Sequence, residues 1–129
     1  MRSVTLAAAA LVALLGARHA VAHHSFATQY DANAPVTLSG VVTKVEWTNP
    51  HARFYVDVKE PDGSVTNWNL ELASPNVLRC NGWQRDSLKV GDEVLVEGSA
   101  ARSGAKMANA RVVRLADGTR VFARGPEDN

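Results

Sequence analysis

The feature that most constrains this chain is a strict alternation that runs into a turn. From His51 to Val58, the residues Ala52, Phe54, Val56 and Val58 fall on one side, and His51, Arg53, Tyr55 and Asp57 on the other. A two-residue period of this kind describes a strand with one face buried. Glu60-Pro61-Asp62-Gly63 then supplies a proline that presets φ and a glycine that tolerates positive φ, the chemistry of a tight turn. Ser64 to Leu72 returns with Trp68, Leu70 and Leu72 on one side. The two stretches predict a β-hairpin, and an isolated hairpin needs further strands to cover its apolar face.

The flanking sequence provides them. Val36 to Trp47 is rich in Val and Thr, with Val36 and Leu38 in one parity and Val41, Val45 and Trp47 in the other. A bulge or bend at Ser39-Gly40 is the expected site of that switch. Ser74-Pro75 pairs a hydroxyl cap with proline at the first helical position, predicting a short helix over Pro75 to Cys80 that Asn81-Gly82 stops. Strands are expected over Glu93 to Gly98 and Met107 to Leu115, with a short last one near Arg120 to Ala123. This order predicts a mainly β chain: a small OB-like barrel of five to six strands with one short helix. Trp83 is expected to cover the barrel end, Cys80 to be a buried structural thiol, and Asn109 and Arg111 to be solvated on an outward strand face.

The first 22 residues read differently. A basic Met1-Arg2 precedes the apolar run Val4 to Leu15, and Ala20-Val21-Ala22 ends the segment on small residues. This pattern predicts a secretory signal peptide cut after Ala22, shorter than a membrane span. The expected organisation is a signal peptide over 1–22, an N-terminal arm over 23–35 anchored by Phe26 and Tyr30, the barrel over 36–124, and a flexible tail over 125–129. The expected destination is the periplasm or the exterior, with no membrane span after cleavage. Cys80 is the single cysteine, so no intrachain disulfide forms despite the oxidising compartment. Of 14 basic residues, Arg2 and Arg18 leave with the leader, and the remaining 12 face 13 acidic ones. With no Lys/Arg block and a slightly negative balance, nucleic acid is set aside as a partner.

Two places carry candidate chemistry. Cleavage after Ala22 gives His23 a free α-amine beside its imidazole, and His24 adds a second ring. Amine and imidazole of His23 can chelate one ion, and a third nitrogen from His51 would complete a set that suits copper(II). Zinc is a poorer match, since closed structural zinc sites want four ligands and often thiolates. A local variant uses the amine, a deprotonated amide and His24. The second place is the turn Trp47-Thr48-Asn49-Pro50-His51, where Trp47, Asn49 and His51 could hold a small ligand or an exported protein partner at the barrel rim. Turn chemistry accounts for the same residues: Asn49-Pro50 for the turn, Trp47 for the core, His51 for a loop hydrogen bond. Nucleophile elbows, zincin motifs, phosphate loops and paired carboxylates are absent from the sequence, so a non-enzymatic binding module is expected.

Ala22-His23-His24-Ser25-Phe26-Ala27, the strand Val41 to Trp47 leading into Thr48-Asn49-Pro50-His51-Ala52, and the segment Glu71 to Asn76 form a set. Gly82-Trp83 with Arg85-Asp86-Ser87-Leu88, Gly91-Asp92 and Asn109-Ala110-Arg111 extend it. Together they resemble a family of small exported bacterial proteins known as a domain of unknown function. The resemblance spans almost the whole chain after the leader; it implies an exported protein of this size and carries no activity or site assignment. A looser likeness, in strand order and export alone, is to periplasmic OB-fold proteins of the stress-associated kind, and fold likeness does not give function.

Overall fold

The computed structural model describes residues 26–122. A helical turn at 26–29 leads into β1 (Tyr30–Glu46), followed by β2 (Arg53–Lys59), β3 (Val65–Glu71), α1 (Pro75–Cys80), β4 (Glu93–Ala101), β5 (Met107–Leu115) and β6 (Arg120–Phe122). The long β1 pairs antiparallel with β2 on one side and β4 on the other. β5 pairs antiparallel with β4 and, over Asn69 to Glu71, parallel with β3. That last pairing closes a five-stranded ring with α1 between its third and fourth strands, the topology of an OB-type barrel. β6 extends the sheet from β5.

The hairpin forms as its alternation predicts. Phe54 faces Leu70 and Val56 faces Trp68 across β2 and β3, and Phe54, Val56 and Leu70 are completely buried. They pack in one core with Leu38, Val42, Leu72, Leu78, Trp83, Leu88, Val94, Val96, Ala108, Ala110 and Val113. Trp83 is buried in that core, as expected of a residue that plugs the barrel end. Ser74 caps α1 through its side chain, which accepts from the Val77 amide, and Gly82 takes a φ of 88° after the Asn81 cap.

The structure moves four expectations. The parity switch in β1 lies at Thr43, where the register against β2 slips between Val42 and Lys44. Val42 therefore points inward and Val41 is exposed. Gly40 serves another need: a Cβ there would sit 2.2 Å from the Asp57 carbonyl oxygen, so β1 and β2 approach through its missing side chain. Strand β1 begins at Tyr30, which takes residues 30–35 out of the expected arm. Cys80 is exposed, because it falls on the outer side of a helix whose inward residues are Pro75 and Leu78. Asn109 is fully buried, for the reason given below.

Candidate functional site: a buried carboxylate on the outer face of the barrel

The slip at Thr43 turns Lys44 and Glu46 outward while Val45 stays with the core. Glu46 pairs with Arg53, Arg53 with Glu71, Glu71 with Asn109, and Asn109 with Ser99. One polar row thus crosses all five strands of the ring. Alternation puts it on the opposite face from Phe54, Leu70, Ala108 and Ala110, which belong to the core.

Glu71 sits at the centre of the row, with its side chain only 3% exposed. A buried carboxylate is costly unless partners compensate it, and three residues approach this one. The Arg53 guanidinium pairs with Oε2, the Tyr30 hydroxyl donates to Oε2 at 3.1 Å, and His51 Nδ1 lies 3.4 Å from Oε1. Arg53 also donates to Asn69 Oδ1 at 3.1 Å, and Tyr55 donates to Glu46 Oε2 at 3.2 Å. Burial, and after it the charge of Glu71, push the Tyr30 hydroxyl above its ordinary pKa. At the far end Lys44 lies 2.5 Å from Glu46, and its hydrogen bond holds the Glu46 carboxyl below the usual range.

Asn109 is buried because the start of the described chain covers it. Tyr30 pairs with Ala101 on β4, yet its hydroxyl ends on Glu71 of β3, so its side chain crosses β5. Phe26, Tyr30 and Ala101 form a second small core with Met107 against it. Beneath this cover, Asn109 Oδ1 and Nδ2 and Ser99 Oγ have no hydrogen-bond partner among the described residues. Each such buried group costs about 1–3 kcal/mol.

The residues singled out in the sequence separate here. His51 reaches the cluster, with a side chain 33% exposed, and faces Glu71 where a loop hydrogen bond was expected. Asn49 is exposed on the turn. Trp47 packs against the core with its indole Nε1 unpartnered among the described residues, so it belongs to the barrel wall. His23 and His24 lie outside the described residues. Among the described residues, no group of three or more His, Cys, Asp and Glu side chains is placed to hold a metal ion. Glu71, Arg53 and Tyr30 were missed as a cluster. The alternation of β2 and the hairpin register would have paired Arg53 with Glu71; nothing local predicts Tyr30.

The closed five-stranded ring defines an OB-like β protein. The chain belongs to a family of unknown function, DUF6152, whose match spans residues 10–110. No curated protein matches it. Solved structures that resemble it include two crystal structures of Rim1, a mitochondrial single-stranded DNA binding protein from S. cerevisiae. One has a TM-score of 0.49 at 14% identity, covering 64% of this chain and 93% of that one. The other, the selenomethionine form, has a TM-score of 0.47 at 15% identity, covering 64% and 92%.

These neighbours correct the exclusion of nucleic acid drawn from charge. Both are single-stranded DNA binding proteins, and the exclusion is withdrawn. Net charge reports on long-range steering and does not by itself exclude a class of partner.

Proposed function

We propose that this protein is an exported, non-enzymatic binding module that takes copper(II) through the α-amine and imidazole of His23, with His51 as the distant ligand and His24 as the local alternative. The observation that supports it is the contact of His51 Nδ1 with Glu71 Oε1 at 3.4 Å. A carboxylate facing one ring nitrogen favours the proton on that side and leaves the other nitrogen's lone pair for a metal, the usual support of a metal-ligating histidine. The same carboxylate holds Tyr30, and Phe26 lies on Tyr30 with ring centroids 5.7 Å apart. Three residues, up to about 10 Å of chain, lead from Phe26 back to His23.

The test is copper(II) titration by calorimetry on protein exported and processed by its host, with intact mass fixing the first residue. One-to-one binding weakened by both His23→Ala and His51→Ala is expected, with Glu71→Gln costing roughly tenfold or more in affinity. Affinity should also fall with pH, as protons compete for the amine and imidazoles. Binding lost with His23→Ala but indifferent to His51→Ala overturns the cross-chain site in favour of the local chelate with His24, and binding no tighter than for an unrelated protein overturns the copper reading. The metal-free alternative then takes over: a small ligand or an exported protein held at the Trp47–His51 rim.

A further inference from the structure

The segment 26–30 lies over the polar row as a strap, held from inside by the Tyr30 hydroxyl on Glu71 and from outside by Arg102. The Arg102 side chain donates to the Ala27 carbonyl at 2.7 Å, and its amide donates to the Gln29 carbonyl at 3.0 Å. Arg102 also lies 3.5 Å from Asp31, and all these partners are at the surface. Inside, the strap rests on the small cluster of Phe26, Tyr30, Ala101 and Met107, which is separate from the barrel core. The β1–β4 register shifts between Tyr30 and Pro35, so the Tyr30–Ala101 pair at the end of the strap is offset from the regular ladder that starts at Pro35.

What lies underneath works against closure. Ser99 Oγ and both polar atoms of Asn109 are buried without a partner among the described residues, and water would satisfy all three if the strap lifted. A short segment with a small apolar footing over unsatisfied polar groups has the makings of a local opening unit. We propose that residues 26–30 are a lid that opens while the barrel stays folded, exposing the row Ser99, Asn109 and Glu71 and releasing Tyr30 from the carboxylate that also faces His51. The lid requires no metal and stands whether or not copper binds.

Amide hydrogen exchange on the intact protein tests it. The Arg102 amide, bonded to Gln29, reports on the lid; the Leu72 amide, bonded to Ala52 at 2.9 Å, reports on the barrel. The Arg102 amide should exchange faster than that of Leu72 by at least tenfold. Ser99→Ala removes an unpartnered hydroxyl with almost no change of shape. It should slow Arg102 exchange by about tenfold relative to Leu72. Equal protection at the two amides would show that the strap leaves only when the whole domain unfolds, and would overturn the lid. Exchange at Arg102 unchanged or accelerated by Ser99→Ala would also overturn it, showing that the hydroxyl does not oppose closure.

Discussion

Tyr30 and His51 meet on one carboxylate: the Tyr30 hydroxyl donates to Glu71 Oε2 at 3.1 Å while His51 Nδ1 lies 3.4 Å from Oε1. The first strand and the turn before the second are thereby tied to the end of the third. Anything that changes the charge or position of Glu71 is felt by both the N-terminal strap and the histidine.

Glu71→Gln keeps the volume and removes the charge. Arg53, whose side chain is 24% exposed, would lose its paired carboxylate and keep only the charge of Glu46 beside it, though the amide oxygen still accepts. A loss of about 2–4 kcal/mol is expected, at the low side of what breaking a buried pair costs. Urea denaturation of the two proteins, compared at unchanged slope, measures it.

Tyr30→Phe removes one hydrogen bond to a buried charge and should cost about 1.5–3 kcal/mol at neutral pH. The effect depends on pH in a defined sense. Burial first, then the Glu71 charge, raise the folded pKa of Tyr30 above the ordinary value of 10.0. Its contribution is therefore complete below pH 10.0 and declines as pH rises past that value toward the raised folded pKa. Unfolding curves from pH 8 to 11 should show wild-type stability falling toward that of the phenylalanine variant. Parallel curves across the range would contradict the assignment.

Gly40→Ala should be among the most damaging single-methyl additions in the chain. The new Cβ would lie 2.2 Å from the Asp57 carbonyl oxygen and 2.6 Å from Val56 Cγ1, so the β1–β2 ladder must shift. A cost of roughly 3 kcal/mol is expected. Gly63→Ala meets no atom within 4 Å and strains only a φ of 87°, which costs about 1–2 kcal/mol. If the two variants melt alike, close approach is not what Gly40 provides.

Ser74→Ala removes the side chain that accepts from the Val77 amide at 3.3 Å. A loss of about 1 kcal/mol is expected, as for other hydroxyl caps, or roughly 4–8 °C in melting temperature for a domain of this size. Ser74→Asp should recover most of it, since a carboxylate caps as well.

Sequence alone determined the elements governed by short-range physics. The β2–β3 hairpin, the Ser74-Pro75 start of α1 and the span of β5 follow from side-chain period, capping and turn chemistry, all of which act within a few residues. Their order sufficed for an OB-like barrel. The parity change in β1 was legible too, because Val36 to Trp47 cannot keep one apolar face at a period of two; its place at Thr43 was not, since a bulge settles where the partner strand's register demands. Tertiary structure decided the rest. Asn109 looks like a solvated strand residue until Tyr30 is laid across β5, and Glu71 looks like a surface acid until Arg53, Tyr30 and His51 converge on it. Those contacts join β1, β2, β3 and the turn before β2 through closure of the ring. Local sequence cannot encode them, because burial of a side chain on an outward face depends on which distant segment the barrel brings over it.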